Sequence, residues 1–85
     1  MTGKTHASQA MLDLVMRTLA DVMRENGHEP KDLVPGTNIL HDTPLDSMGL
    51  AVAVLRLEDE THKDPFQDGF KLFQTVEELA LLYDD

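Results

Sequence analysis

From Ser8 onward, Leu12, Val15, Met16, Leu19, Val22 and Met23 recur at three- and four-residue spacing, with Asp13, Arg17, Asp21, Arg24 and Glu25 between them. That period gathers the apolar side chains on one stripe and predicts an amphipathic helix. Asn26-Gly27 supplies the residue types that close a helix in the left-handed conformation, so the helix is expected to stop there. Residues 28–45, with Pro30, Pro35, Gly36 and Pro44, read as a connection of a length that compact domains use for function or fill with local turns. Leu33, Val34, Ile39 and Leu40 are expected to pin it onto the rest of the chain.

The next apolar stretch carries two stripes, not one. Leu50, Val54 and Leu57 share one side of a helix expected from about Ser47 to Glu60, and Met48, Val52 and Leu55 share another. A helix apolar around most of its girth is either deeply buried or an interaction surface, and a thin bundle has little room for the first. The second stripe is therefore read as a docking face. Gly49 lowers helix propensity by roughly 1 kcal/mol relative to Ala, which reads as a first turn adaptable to partners or as tolerated variation. Asp64-Pro65 can open a short helix, with Phe66 and Phe70 packing inward, before Gly69 and Lys71 loosen the segment. Thr75 followed by Glu78 forms a capping box, and Val76, Leu79, Ala80 and Tyr83 make the buried face of a last helix. The pattern predicts an all-α four-helix bundle of three longer helices and one short one. Residues 1–7, polar and aperiodic, are expected to form a flexible leader, with 8–85 as a single domain. The chain shows no internal repeat or low-complexity segment.

Composition narrows the functions open to such a bundle. Eighty-five residues make one small domain that buries about two-thirds of its unfolded surface and leaves hardly any room for a catalytic cleft. Without tryptophan and with only three phenylalanines, its core must be aliphatic. The absence of cysteine removes disulfides and thiolate chemistry, so any thioester would have to form on an added group. No signal-peptide stretch or run of about 20 apolar residues appears, which makes a cytoplasmic protein without a membrane span the expectation. Sixteen acidic against seven basic side chains give a formal charge of -9. That excess argues against nucleic acid, which needs clustered cations, and suggests basic protein surfaces as partners; maintaining solubility is the simpler use of the same charge.

Candidate chemistry centres on Asp46-Ser47. The Asp46 carboxylate can accept from the free N–H groups of the turn that follows, leaving Ser47 at the first helical position. The positive end of the helix dipole, roughly half an elementary charge, would favour a phosphate on its hydroxyl. Alone, the dipeptide is an ordinary cap. A hydrolase would need a base and an orienting group for Ser47; His41 or His62 with Asp42 or Asp59 are available, but the G-x-S-x-G elbow is absent. His6, His28, His41 and His62 are scattered, Asp59 and His62 alone have metal-like spacing, and two ligands do not make a zinc site. Glu58-Asp59-Glu60 and Glu77-Glu78 lack the order of a calcium loop and read as solvated helix faces.

Taken together, Asp46-Ser47-Met48, the preceding Thr37-Asn38-Ile39-Leu40, the following Leu57-Glu58-Asp59-Glu60, and Phe73-Gln74-Thr75-Val76-Glu77-Glu78-Leu79 resemble an acyl or peptidyl carrier protein over about residues 8 to 83. In that family the serine of an Asp-Ser-Leu motif is esterified by 4′-phosphopantetheine, whose thiol carries the cargo; Met48 replaces the Leu conservatively. The resemblance implies that Ser47 holds the covalent arm and that Asp46 helps position the donor coenzyme A and the magnesium of a phosphopantetheinyl transferase. It also implies a non-enzymatic, free-standing, monomeric carrier. Its partners would be an acyl- or aminoacyl-loading ligase and downstream enzymes, docking on Met48, Val52, Leu55, Arg56 and Asp59. Fatty-acid carriers commonly have Val-Glu where this chain has Ala51-Val52. The loss of that acid, with Arg56 nearby, points to a specialised lipid, polyketide or related pathway; aminoacyl or peptidyl carriage is the alternative. A small helical interaction module without a prosthetic group is the reading from another class.

Overall fold

A computed structural model of the chain describes residues 7–30, 32–69 and 71–84. Three helices, α1 (Gln9–Glu25), α2 (Ser47–Thr61) and α3 (Val76–Tyr83), account for its regular structure among the described residues. Each begins where the sequence supplies a cap. The Ser8 hydroxyl accepts from Met11 N–H at 3.2 Å, and the Asp46 carboxylate accepts from Gly49 N–H at 2.8 Å. At α3 the capping box is complete: Thr75 Oγ1 accepts from Glu78 N–H while Glu78 Oε1 accepts from Thr75 N–H. Helix α1 ends as Asn26-Gly27 predicts. Gly27 takes φ +83°, its N–H donates to the Arg24 carbonyl, and His28 N–H reaches back to the Met23 carbonyl at 2.8 Å. Helix α2 runs one residue past its expected end and closes on His62, which adopts φ 59° although it is not a glycine.

The core lies where α1 packs on both α2 and α3. Leu12, Val15, Leu19, Val22 and Met23 from α1 meet Ala53 and Leu57 from α2 and Val76, Leu79, Ala80 and Tyr83 from α3. Met16, read with the α1 stripe, is only half-buried at its edge. At roughly 25 cal/mol per Å² of apolar surface, this aliphatic cluster is the main favourable term in folding. Ala7 is also buried, so the leader expected over residues 1–7 ends at least one residue earlier than the polar pattern suggested; residues 1–6 lie outside the described residues. Ser8 N–H donates to the Asp84 carboxylate, tying the start of α1 to the end of α3.

The expected fourth helix is absent from the described residues. After α2, residues 65–68 form turns instead. Asp64 does act as a cap, accepting from Phe66 N–H with its carboxylate and from Gln67 N–H with its carbonyl. Propagation fails because Gly69, at φ +132°, leaves the helical region one turn later, and a single turn cannot offset the cost of nucleation. Phe66 is half-buried and sets its ring 6.0 Å from that of Phe73, while Phe70 lies outside the described residues.

The 28–45 connection is stitched to α3 through backbone pairing. Asn38 and Thr75 form an antiparallel bridge, with Ile39 N–H donating to the Gln74 carbonyl at 2.8 Å and Val76 N–H to the Thr37 carbonyl at 3.0 Å. Ile39 is thereby buried and Leu33 packs on the core, as expected. Val34 and Leu40 do not pin the segment; they are 54% and 50% exposed. Paired bonds between residues 34 and 37, using the Thr37 hydroxyl and the Val34 carbonyl, close a turn that leaves Val34 outward, and Leu40 lines the same cavity as Ile39 while staying half exposed.

Candidate functional site

Ser47 occupies the first position of α2 and is exposed. Its neighbour Asp46 does the capping, so the serine hydroxyl has no structural duty at the helix end. Gly49 N–H is taken by the Asp46 carboxylate and Leu50 N–H by the Asp46 carbonyl. The remaining N–H groups of the first turn, those of Ser47 and Met48, face out of the helix end where no intrahelical partner exists. A phosphate esterified to Ser47 would lie against these donors and the positive end of the dipole. The exposure of Ser47 leaves room for that group and the outward N–H groups favour its charge, while the neighbouring Asp46 carboxylate, turned to Gly49 N–H, opposes it.

The first turn is held by close packing. Gly49 is buried, and a methyl group added to it would stand 2.8 Å from Leu45 Cδ2 and 3.4 Å from Asn26 Nδ2. This corrects both readings of Gly49 given by propensity. The residue admits Leu45, itself buried, beneath the helix start, which fixes the direction in which Asp46 and Ser47 leave the connection.

Beside this turn lies a depression of about 380 Å³ walled by Asn26, His28, Pro44, Asp46, Met48, Gly49 and Val52. Asn26 and His28 come from the closing turn of α1, which the sequence marked only as a helix stop. Their approach to Asp46 is a tertiary consequence of Gly49 packing, and no local pattern announces it.

The docking residues read from the sequence divide into three groups. Met48, Val52 and Leu55 are 74%, 36% and 64% exposed, so the second stripe of α2 faces outward, while Leu57 is buried and Leu50 and Val54 are half-buried. Arg56 is engaged: it forms a fork-to-fork pair with Glu25 at the end of α1, through Nη1 to Oε2 at 2.8 Å and Nη2 to Oε1. That pair holds the Glu25 carboxyl below the usual carboxylate range. Asp59 is exposed and lines a second depression, of about 460 Å³, between α1 and α2.

His62 sits at the far end of α2, about 22 Å along the axis at about 1.5 Å per residue, and His41 pairs with the adjacent Asp42 at 3.3 Å. Among the described residues no cluster of three or more His, Asp or Glu side chains is placed to hold a metal, and no helix is long and apolar enough to cross a membrane. Comparison with protein-family models, curated proteins and solved structures finds no match to this chain.

Proposed function

We propose that this protein is a carrier, holding acyl intermediates as thioesters on a 4′-phosphopantetheine arm attached to Ser47 and presenting them to separate enzymes. The observation that carries the reading is the division of labour at the start of α2. Asp46 caps the helix, and the exposed Ser47 hydroxyl beside it is left free among donors suited to a phosphate. In the attachment step Ser47 Oγ forms the new ester to the phosphate proximal to pantetheine in coenzyme A. The pyrophosphate bond breaks, adenosine 3′,5′-bisphosphate departs with the bonding electrons, and the hydroxyl proton passes to a base of the transferase. Magnesium held by the transferase with Asp46 would neutralise the phosphates. The exposed stripe of Met48, Val52 and Leu55 supports docking of the transferase, of a loading ligase and of downstream enzymes close to the arm. Val52, where carriers of fatty-acid synthesis commonly have an acid, favours a specialised lipid, polyketide or related pathway over general fatty-acid synthesis, with aminoacyl or peptidyl carriage as the alternative.

Peptide mapping tests the attachment residue. Trypsin should release residues 32–56, in which Ser47 is the single serine. Exposure to coenzyme A, magnesium and a phosphopantetheinyl transferase is expected to add one phosphopantetheine to that peptide. An unmodified peptide, or modification of the Ser8 peptide instead, would overturn the assignment. The exposed stripe alone also fits an interaction module lacking any prosthetic group, and the unmodified result would favour that reading.

A further inference from the structure

The closing turn of α1 brings two polar side chains to the start of α2. Asn26 and His28 line the depression of about 380 Å³ together with Asp46, Met48 and Gly49. Neither the Asn26 amide nor the His28 imidazole hydrogen-bonds to another described residue. We propose that these two residues hold the phosphate of the arm at Ser47, with the His28 imidazolium as its counter-charge and the Asn26 amide as a donor, an inference that rests on the carrier reading of Ser47.

Backbone bonds fix where both residues stand. Asn26 N–H donates to the Val22 and Met23 carbonyls and His28 N–H to the Met23 carbonyl, so each is anchored to the last turn of α1. Asn26 Nδ2 lies 3.4 Å from the place a methyl group on Gly49 would take. An amide donor is thereby laid against the first turn of α2, beside Asp46 and Met48, the chain neighbours of Ser47. Charge then selects the role of His28. A phosphodiester is an anion, and at Ser47 it adjoins the Asp46 carboxylate in a chain already at -9. The arginines at this end of α1 are engaged with other acids, Arg24 with Asp21 at 3.1 Å and Arg56, reaching over from α2, with Glu25. His28 and Asp46 are the ionisable groups that line the depression, and of the two only His28 can become a cation. The acids around it are Asp46 across the depression, Glu25 in its pair with Arg56, and the exposed Glu29 next in the chain.

The contact links attachment to protonation. An imidazole changes charge between about pH 5 and 8, and a phosphate beside it favours the imidazolium, so the chain carrying the arm takes up a proton at His28 over part of that range. The imidazolium in turn offsets the repulsion between the phosphate and Asp46. With the Asn26 donor it sets the direction in which the arm leaves Ser47, which makes both positioning residues.

Phosphorus NMR of the phosphopantetheinylated full chain between about pH 5 and 8 tests the proposal, because a phosphodiester has no proton of its own to exchange in the range where an imidazole titrates. The phosphorus resonance of the wild type is expected to move sigmoidally with pH as the adjoining imidazole charges. It should stay flat in His28→Gln, a change at an exposed position that keeps the circular dichroism of the wild type. Attachment of the arm should also shift the His28 ring and Asn26 side-chain amide resonances while leaving the rings of His41 and His62 in place. A flat phosphorus resonance in the wild type, or a titration that persists in His28→Gln, would overturn the role of His28, and an Asn26 amide unmoved by attachment would overturn that of Asn26. A chain that gains no phosphorus, visible in its mass, overturns the carrier reading along with this one.

Discussion

Two residues carry local conflicts that tertiary structure resolves. Gly49 is a poor helix former placed in the first turn of α2, yet its missing side chain makes the space that Leu45 fills. At an exposed site Gly→Ala in a helix gains roughly 1 kcal/mol. Here the added methyl forces Leu45 to move within the core, so Gly49→Ala is expected to yield no gain in denaturant midpoint. A full gain of about 1 kcal/mol would show that the packing is slack. Tyr83 presents the opposite case. It is fully buried and its hydroxyl meets no hydrogen-bond partner among the described residues, while burial and the nearby negative charges of Glu58 and Asp64 push its pKa far up. Leaving such a hydroxyl unpaired costs about 1–3 kcal/mol. Tyr83→Phe should therefore keep or raise the melting temperature, and a loss above about 1 kcal/mol would reveal a partner for the hydroxyl.

At the scale of elements, the helices with strong local signals were legible in advance. Asp46 and Thr75 cap where they were expected to, and Ser8 caps α1 in the same way, because a cap is a contact between residues three apart and leaves its mark within one turn of sequence. The segment after Asp64-Pro65 carries a start signal but ends as turns, since a start signal says nothing of whether propagation succeeds. The pairing of Asn38 with Thr75 was illegible because it joins positions far apart in the chain through backbone groups every residue possesses. At the site, Asp46 and Ser47 were readable, while Asn26 and His28 were brought there by the packing of α1 on α2. The outward stripe of α2 was readable as a second apolar side. Its exposure predicts that Val52→Glu will shift stability by no more than about 0.5 kcal/mol while impairing cargo transfer by the cognate loading enzyme. A collapsed denaturant midpoint would instead mean that Val52 is core, since burying an unpaired carboxylate costs several kcal/mol.

Over the whole molecule, charge sets the response to solution conditions. A formal charge of -9 on 85 residues is self-repelling, and salt screens it. The melting temperature should therefore rise between low and moderate ionic strength, and a flat or falling trend in circular dichroism would contradict this. Titration acts in two directions. Burial, followed by the negative charge of Asp64, raises the pKa of Glu58, so its folded form keeps a proton that the unfolded form has released, and stability should rise as pH falls from neutrality through that window. The Glu78 carboxylate is held low by the N–H groups of Gln74 and then Thr75, the Asp42 carboxylate by the Asn38 N–H and then His41, and Glu25 by Arg56. Their stabilisation is present above the unfolded carboxylate pKa and is lost as pH falls through the lowered folded values. Stability should accordingly peak on the acid side of neutrality and drop below about pH 4; a midpoint falling steadily from neutrality would contradict the assignment of these shifts. The carrier reading itself is tested most directly by intact mass after incubation with coenzyme A, magnesium and a phosphopantetheinyl transferase, with wild type and Ser47→Ala side by side. The account predicts a gain of one phosphopantetheine on the wild type and none on Ser47→Ala, which stays folded because Asp46 provides the cap. An unchanged wild-type mass, or equal gains on both proteins, would contradict it.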